Sequence, residues 1–426
     1  MLRLVIKEGE LPGLRVAEVA ETLSISESEL FVMLKSSNDA IFRKLKIANA
    51  FWTDGEFFSF KSIAGLIQVS PDFELEIVPK FLSENDQWRS EFLFLLSSYR
   101  WSAFFPDRQV KYGLSVESSI NDIMASIFLS MFDEAHHLPI RTYTRKEIDG
   151  FELEGELEEE SIFFPVQDGF RQYDTRLSKE NPYNYVIASA ARILQRDSQN
   201  YELKMSLGKT LSVLGPQVVT TNSVPRFVPP RYSKWEKLFQ LSLGVIEGRG
   251  VDYSDPDGLT GPGYIVRTAD AWEDFVYSVL CESLSPYSVS FKESFTFGSR
   301  FQTCTGKKRN LMVTPDYFIR SEAHSPCAAD AKYKFANDGA LSVSNADVYE
   351  CCAFMEASDS RRIVLIYPGA DPHVPCREFN TVAIPEGTIH AVKINTKISR
   401  GEGSWHALCD AVKEYFETLD PVDIYR

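Results

Sequence analysis

The sequence predicts an α/β protein whose C-terminal part forms a mixed β-sheet flanked by helices, preceded by α+β N-terminal and middle domains. Strand-like and helical segments alternate through residues 226–426, which is the pattern of an α/β domain. Residues 1–110 alternate short β-like runs with helical ones. The segment PQVVTTNSVPRFVPP, at residues 216–230, is rich in Pro, Thr and Asn and lacks helical periodicity, so it is the best domain boundary.

Length and composition set the number of domains. The chain has 426 residues, of which 44% are hydrophobic and 25% charged, so it can build packed cores and wholesale disorder is excluded. At roughly 100–200 residues per domain, two to four domains are expected. We predict an N-terminal α+β domain at residues 1–110, a middle domain of helices and a hairpin that ends in the linker at residues 111–225, and a C-terminal α/β domain at residues 226–426.

Two signals define the N-terminal domain. The stretch SISESELFVMLKSSNDAIFRKL, at residues 24–45, is predicted to be a helix because its serines are suited to cap the start. Residues 57–69 lead through a Ser-Pro-Asp turn into FELEIVPKF, in which every second residue from Phe73 onward is apolar. That alternation predicts a half-buried hairpin.

The middle domain combines helices with an acidic segment. In residues 116–132 apolar residues recur about every 3.6 positions, which predicts a helix that ends near His136-His137. These two histidines would cap the C-terminus of the helix. Eight acids follow among residues 147–160. They indicate either a metal or basic-partner site or, as we favour from the alternation of apolar and acidic residues, a strand pair with a solvated acidic face. A long helix is predicted at residues 182–196.

The C-terminal domain is predicted from a series of shorter segments. Their sequences are, in order, helices SKWEKLFQLSLGVIEG and ADAWEDFVYSVLCESL, strands YSVSFKESFTF, RNLMVTPDYFIR and CAADAKYKF, helix NADVYECCAFMEAS, strands RRIVLIYP and HAVKINT, and helix SWHALCDAVKEYFETL.

Charge argues against a protein that coats nucleic acid unaided. The formal net charge is −15, and residues 226–426 hold 22 basic against 27 acidic residues, which makes the first half the more anionic. A local basic cleft is still compatible with this balance. The sequence has no secretory signal and no membrane-span run, and its seven cysteines form no CxxC, so we expect free thiols in a reducing cytoplasm.

Two common catalytic motifs can be set aside. Gly208-Lys209-Thr210 resembles the end of a P-loop, but that motif requires a glycine five residues before Gly208, where Leu203 stands. No complete NTPase motif and no GxSxG occurs in the sequence.

The informative strings are Thr314-Pro315-Asp316 on one predicted strand and Asp330-Ala331-Lys332 on the next. Because alternate residues share a face of a strand, Asp330 and Lys332 project together. If the two strands pair as a hairpin, Asp316 comes near Asp330. Two carboxylates beside one lysine suit metal-dependent phosphodiester hydrolysis, the PD…(D/E)xK constellation of restriction-type nucleases.

The metal that this set predicts is Mg²⁺, which takes carboxylate oxygens and keeps several waters, and to which the backbone carbonyl of Ala331 could add an oxygen. The ion would activate a water and polarise the scissile phosphate, and Lys332 would orient that water or offset charge in the transition state. An ordinary exposed hairpin with an Asp–Lys pair is the alternative.

Neighbouring segments favour the nuclease interpretation. Nuclease cores of this kind have a helix before the hairpin that donates an acid, and Glu273 is suitably placed to be this third acid and metal ligand. A following helix offers Asp347, Tyr349 and Glu350, and an apolar strand at residues 363–367 closes the sheet.

These features resemble the McrC family, the nuclease subunit of McrBC-type modification-dependent restriction systems that act on 5-methylcytosine and related modifications. GLIQVSPDFELEIVPKF resembles that family's N-terminal hairpin, and LSKENPYNYVIASAARIL its middle helix, with Asn184 near the start. WEDF, TPDYFI, DAKYK and NADVYECCAF match its C-terminal motifs. Glu350 stands where the family usually has Gln, and Phe354 where it has Tyr.

The resemblance implies more than the residues do. Members bind, through their N-terminal region, a McrB-like hexameric AAA+ GTPase on a separate chain, stimulate it and cut double-stranded, modified DNA in phage defence. The C-terminal domain would then have the restriction-endonuclease-like PD-(D/E)xK fold, with Asp316, Asp330 and Glu273 as metal ligands and Lys332 as catalytic lysine. The alternatives are a non-catalytic adaptor that activates an AAA+ ring and carries a vestigial motif, and a stand-alone structure-specific nuclease.

Overall fold

The computed structural model describes residues 2–45, 47, 49–70, 73–82, 88–96, 120–135, 139–215, 225, 227–248, 265–320, 325–334, 343–369, 371, 373–396 and 402–419. The chain divides into two compact units, one formed by Met1–Asp107 together with Ile265–Arg426 and the other by Arg108–Tyr264. This division differs from the three consecutive segments expected from the sequence. The N-terminal and C-terminal segments share one unit, and residues 226–264 belong with the middle segment.

The described strands and helices follow one another along the chain. They are β1 (Leu2–Lys7), β2 (Leu14–Arg15), α1 (Val16–Leu23), α2 (Glu27–Leu45), β3 (Phe51–Thr53), β4 (Phe57–Phe60), β5 (Ile63–Ser70), β6 (Phe73–Val78), α3 (Trp88–Leu96), α4 (Ile120–Glu134), β7 (Thr142–Gly150), β8 (Glu156–Leu157), α5 (Glu159–Phe163), β9 (Phe170–Ser178), α6 (Pro182–Asp197), α7 (Tyr201–Leu214), a 3-10 helix (Pro230–Trp235), α8 (Glu236–Gly248), β10 (Ile265–Arg267), α9 (Thr268–Ser283), β11 (Ser288–Phe291), β12 (Phe295–Gln302), β13 (Lys307–Val313), β14 (Tyr317–Arg320), β15 (Cys327–Ala331), α10 (Asn345–Ser358), β16 (Arg362–Gly369), β17 (Cys376–Ile384), β18 (Gly387–Asn395) and α11 (Glu402–Thr418).

A four-stranded sheet in the order β1-β6-β5-β10 joins the two segments of the first unit. β1 runs parallel to β6, whereas β5 pairs antiparallel with both β6 and β10. The predicted hairpin is therefore confirmed, and β10 adds an edge strand from the C-terminal segment. This pairing is the physical reason that residues distant in sequence form one unit.

β6 is buried on both faces, so the expectation of a half-buried hairpin was wrong. Its two glutamates, Glu74 and Glu76, are 1% and 0% exposed. Arg3 Nη2 lies 2.8 Å from Glu74 Oε2, and Arg89 Nη2 lies 2.5 Å from Glu76 Oε2. The alternation of apolar and acidic residues in the sequence indicated a face exposed to solvent. The two carboxylates can be buried instead because each forms an ion pair with an arginine, which offsets the cost of removing the charge from water.

The helix expected at residues 24–45 is α2, and serine caps it as predicted. The Ser26 backbone N–H donates to Glu29 Oε2 over 2.8 Å, and the Glu29 backbone N–H donates to Ser26 Oγ over 3.2 Å. This reciprocal capping box satisfies two of the amide groups that the first turn of a helix leaves without partners.

The second unit contains a helical bundle of α4, α6, α7 and α8. α6 matches the helix predicted at residues 182–196 and begins with Asn181 as its N-cap and Pro182 in its first turn. Asn184 is buried, accepts from the Ile140 backbone N–H over 3.1 Å and donates to the Ile140 carbonyl over 2.7 Å. The P-loop-like Gly-Lys-Thr lies inside α7, and His136-His137 lies outside the described residues.

The acidic run of the second unit lies in and around a three-stranded sheet ordered β7-β9-β8. The predicted strands are present, but Phe151 and Leu153 lie in the loop after β7 and are 75% and 71% exposed. Several acids of the run pair with arginines of the sheet, among them Glu156 with Arg145 at 3.0 Å.

The C-terminal segment forms a six-stranded mixed sheet ordered β11-β14-β15-β16-β18-β17. β15, β16 and β18 are parallel, whereas β11, β14 and β17 pair antiparallel with their neighbours. This confirms the predicted α/β character with a mixed sheet flanked by helices. Within the described part of the chain, no helix is both long and apolar enough to cross a membrane.

Candidate metal-dependent active site

The β14–β15 hairpin brings the two predicted aspartates together. Tyr317 lies opposite Ala329 in this antiparallel pair, so Asp316, just before β14, faces the end of β15. Asp316 Oδ2 accepts a hydrogen bond of 2.9 Å from the backbone N–H of Ala331. The expected juxtaposition of Asp316 with the Asp330-Ala331-Lys332 string is therefore present.

Lys332 stands among carboxylates, as the motif predicted. Its Nζ lies 2.5 Å from Asp330 Oδ2, 2.7 Å from Glu350 Oε2 and 3.9 Å from Asp347 Oδ1. The Lys332 backbone N–H donates to the Ile366 carbonyl over 2.8 Å, which extends the pairing of β15 with β16 by one residue. The sheet thus fixes the backbone from which this side chain extends.

Glu273 lies on α9, and its position is fixed by two contacts. The Tyr317 hydroxyl donates to the Glu273 backbone carbonyl over 2.7 Å, which ties α9 to β14. Glu273 Oε2 lies 2.5 Å from Lys292 Nζ. Lys292 has a φ of 53°, in the left-handed region that is uncommon for residues other than glycine. This second lysine was not anticipated from the sequence.

The carboxyl groups perturb one another electrostatically. Burial raises the pKa of Asp316 to about 8, and the nearby charges of Asp330 and Glu273 act in the same direction. Burial also raises the pKa of Asp330, although Lys332 opposes this shift. Burial lowers the pKa of Lys332, but Asp330 and Glu350 outweigh it and leave that pKa raised. Acids that resist ionisation beside a charged lysine are typical of functional sites.

A magnesium ion is chemically compatible with this donor set. No group of three or more His, Cys, Asp and Glu side chains at metal-ligand geometry occurs among the described residues. Mg²⁺ does not require one, because it is commonly held by one or two carboxylates and keeps several waters. Two half-buried or buried aspartates with a raised pKa are groups whose ionised form a cation would stabilise. The roles of Glu273 and of the Ala331 carbonyl as further ligands stay predictions.

The residues of α10, the helix that follows the site in sequence, differ in their contacts with it. Glu350 reaches Lys332, whereas Asp347 is buried and pairs with Lys334, and its backbone N–H is capped by Ser344. Tyr349 is 71% exposed. Phe354 belongs to the hydrophobic core of the sheet rather than to the site.

A buried polar cluster next to the site was missed by sequence analysis. Glu8, which directly follows β1, is 5% exposed and accepts from the Ser62 backbone N–H at 2.9 Å, from Thr268 Oγ1 at 2.8 Å and from the Tyr333 hydroxyl. Lys80 Nζ donates to the Tyr333 backbone carbonyl over 2.9 Å. The N-terminal sheet therefore holds the residue that follows Lys332. No spacing rule links positions so far apart in sequence.

Comparison with known proteins gives one family and one fold. The model of the family described as McrBC 5-methylcytosine restriction system component matches residues 58–368. A chain of the refined half-complex from the tetradecameric assembly of Thermococcus gammatolerans McrB AAA+ hexamers with bound McrC superposes with a TM-score of 0.68 at 14% identity, covering 97% of this chain and 100% of that one. A chain of the Thermococcus gammatolerans McrBC complex gives 0.46 at 13% identity, covering 67% and 89%. No curated protein gave a significant match.

Proposed function

Because this chain belongs to the family of McrBC 5-methylcytosine restriction system components, we propose that it is the Mg²⁺-dependent DNA endonuclease subunit of a modification-dependent restriction complex. The observation that carries the proposal is the convergence of Asp316, Asp330 and Lys332 at the ends of two paired strands. A second aspartate beside the Asp–Lys pair, whose pKa is raised by burial and by neighbouring carboxylates, is more typical of a functional site than of an incidental surface pair.

The arrangement of the C-terminal sheet supports a PD-(D/E)xK nuclease fold. Asp316 directly precedes β14, which pairs antiparallel with β15. Asp330 and Lys332 lie at the end of β15, which pairs in parallel with β16 on its other side. Helix α9 precedes the motif in sequence and carries Glu273, and helix α10 follows the motif and carries Glu350. These are the helices that the sequence led us to expect around such a site.

The residues have separable roles in the proposed reaction. Asp316 and Asp330 hold the cation, which when bound lowers the pKa of a water and polarises the scissile phosphate. Lys332, kept cationic by Asp330 and Glu350, orients the attacking water or offsets charge that builds on the phosphate in the transition state. Glu273 would be a third ligand, and Lys292 pairs with its carboxylate in the structure.

The proposed partner is a McrB-like hexameric AAA+ GTPase on a separate chain. The similar structure from Thermococcus gammatolerans contains McrB AAA+ hexamers with bound McrC, and its matched chain is covered completely by this one. In the proposed complex the motor delivers double-stranded, modified DNA to Asp316 and Asp330. This fits a nuclease chain whose formal net charge is −15, because its overall charge gives no long-range attraction to DNA and leaves phosphate contacts to local basic segments.

A reconstituted complex tests the proposal against its alternatives. The chain is mixed with its AAA+ partner, nucleotide and methylated duplex DNA, and cleavage is followed with Mg²⁺ or with EDTA. We expect cutting that depends on both Mg²⁺ and the partner. Nucleotide hydrolysis without any nicking, across several metals and modified substrates, would instead support the non-catalytic adaptor, and partner-independent cleavage the stand-alone nuclease.

A further inference from the structure

The hairpin formed by β12 and β13 is a basic segment that directly precedes Asp316 in the chain. Residues 295–313 contain Arg300, Lys307, Lys308 and Arg309 and no acidic residue. All four basic side chains are exposed. The negative balance of residues 226–426 therefore conceals a local patch of the opposite sign.

These four side chains form no ion pair with another described residue. Arg300 lies directly opposite Arg309 in the antiparallel register, and Lys307 lies opposite Gln302. Because alternate residues share a face, Arg300, Lys307 and Arg309 project from one face, and Lys308 from the other. Like charges directly opposite each other destabilise a hairpin, so folding alone gives no reason for this arrangement.

The base of the hairpin is anchored on the sheet that carries the site. The rings of Phe295 and Phe318 have centroids 4.8 Å apart, and Val313 packs against the core of this sheet. At the base of the hairpin, Ser294 Oγ and Thr314 Oγ1 lie 2.8 Å apart. The outer half is exposed on both strands and turns through Gly306, whose φ is 65°. A fixed base with a charged, exposed end is suited to contact a partner of opposite charge.

β13 leads almost directly into the proposed metal ligand Asp316. Arg309 precedes Asp316 by seven residues, which in extended chain is at most about 25 Å. Phosphates on one DNA strand recur about every 3.4 Å along the helix axis. A duplex with one phosphodiester at Asp316 would therefore place further phosphates, a few base pairs along, within reach of the hairpin.

We propose that the Arg300, Lys307 and Arg309 face of the β12–β13 hairpin binds the phosphate backbone of duplex DNA beside the scissile position. The inference rests on the proposed function, since it assumes that DNA is the polymer reaching Asp316 and Asp330. Contacts of this kind position the duplex without reading its bases. The occupant is DNA rather than an acidic protein surface, because the same strand that carries these charges continues into the phosphodiester-cleaving site.

Binding of duplex DNA by the full-length chain, without partner and in EDTA so that no cleavage occurs, tests this directly. Fluorescence anisotropy of a labelled duplex is measured at several salt concentrations. The triple variant Arg300→Gln, Lys307→Gln, Arg309→Gln is compared with a control of equal charge change, Lys61→Gln, Arg361→Gln, Lys413→Gln, whose exposed side chains lie outside the hairpin in the same unit.

We expect the hairpin variant to bind at least about tenfold more weakly than wild type at low salt and to lose about 0.9 from the salt slope per phosphate contact removed. The control should change neither value appreciably. The hairpin variant should unfold at the same or a higher temperature than wild type, because it relieves the Arg300–Arg309 repulsion. Equal loss in both variants, or absence of wild-type binding, would overturn the proposal.

A second readout separates this inference from the proposed function. If the hairpin variant binds DNA like wild type yet fails to associate with the AAA+ partner, the hairpin contacts an acidic protein surface and the inference is wrong. If the wild-type complex never cuts DNA although the hairpin variant alone loses DNA binding, the nuclease proposal fails and the hairpin assignment stands.

Discussion

The Lys80 ammonium group donates a hydrogen bond of 2.9 Å to the backbone carbonyl of Tyr333 and lies 4.1 Å from the centre of its ring. Lys80 follows β6 of the N-terminal sheet, and Tyr333 follows Lys332 of the candidate site. Burial lowers the pKa of Lys80. This polar link connects the N-terminal segment, where we expect the partner to bind, to the residue that follows the proposed catalytic lysine.

Replacement of Lys80 by Met should slow DNA cleavage. A hydrogen bond from a charged group is worth about 1.5–3 kcal/mol. If the lost free energy displaces the Lys332 side chain from its catalytic position, the cleavage rate should fall about 10–100-fold. Single-turnover cleavage by the reconstituted complex measures this. Lys80→Arg should recover part of the rate, whereas Lys61→Met, at an exposed lysine of the same segment, should have no effect. A rate unchanged in Lys80→Met would disprove the coupling.

Replacement of Glu8 by Ala should destabilise the first unit. The change leaves donors from Ser62, Thr268 and Tyr333 without their acceptor in a buried place, which we expect to lower the free energy of unfolding by about 3–4 kcal/mol. Urea denaturation followed by tryptophan fluorescence gives the value. Glu10→Ala, at an exposed glutamate on the same turn, is the control, and a similar small effect in both variants would contradict this role for Glu8.

Several features of the fold and site follow from local pattern. The predicted hairpin that brings Asp316 near Asp330 is present, because its two strands are close in sequence. The single strand expected over RNLMVTPDYFIR was wrong: it is two strands, β13 and β14, which belong to different sheets, and Thr314-Pro315-Asp316 lies between them. The mixed sheet followed from alternating segments, although β17 was not predicted. Its sequence, CREFNTVAI, contains three charged or amide residues and does not alternate cleanly.

The remaining features depend on contacts that no local pattern encodes. Burial of Glu74 and Glu76 requires Arg3 and Arg89, and the pairing of β10 with β5 joins residues about 200 positions apart. The Glu8 cluster likewise depends on Tyr333. The basic hairpin was hidden by averaging charge over residues 226–426, and a window of about 20 residues would have revealed it.

Metal binding should strengthen as pH rises towards 8. The pKa of Asp316 is raised to about 8 in the folded chain, whereas the pKa of an Asp in the unfolded chain is near 4. Between about pH 4 and pH 8 the folded chain therefore retains a proton on Asp316, which a cation must displace. Affinity should rise about tenfold per pH unit below 8 and level off above it. Calorimetry with Ca²⁺ in buffers of different ionisation enthalpy would measure the released proton. A constant affinity between pH 6 and 8.5 would contradict the assignment of Asp316 as a ligand.

Replacement of Glu350 by Gln should be tolerated. Its side chain is half exposed and keeps an oxygen that can accept from Lys332 Nζ, so cleavage should stay within about fivefold of wild type. Removal of its charge also lowers the pKa of Asp330, because Glu350 contributes to raising it. The Mg²⁺ concentration that gives half-maximal cleavage at pH 7 should therefore be unchanged or lower. Complete loss of cleavage would mean that the Glu350 carboxylate itself takes part in catalysis.

The central claim, that this chain cuts DNA with a metal held by Asp316 and Asp330, is tested most directly by Asp330→Asn in the reconstituted complex. Both DNA cleavage and nucleotide hydrolysis by the partner are measured in the same reaction. Loss of a metal ligand removes several kcal/mol of transition-state stabilisation, so cleavage should fall about 10³-fold or more while nucleotide hydrolysis continues at the wild-type rate. Undiminished Mg²⁺-dependent cleavage by this variant would contradict the account.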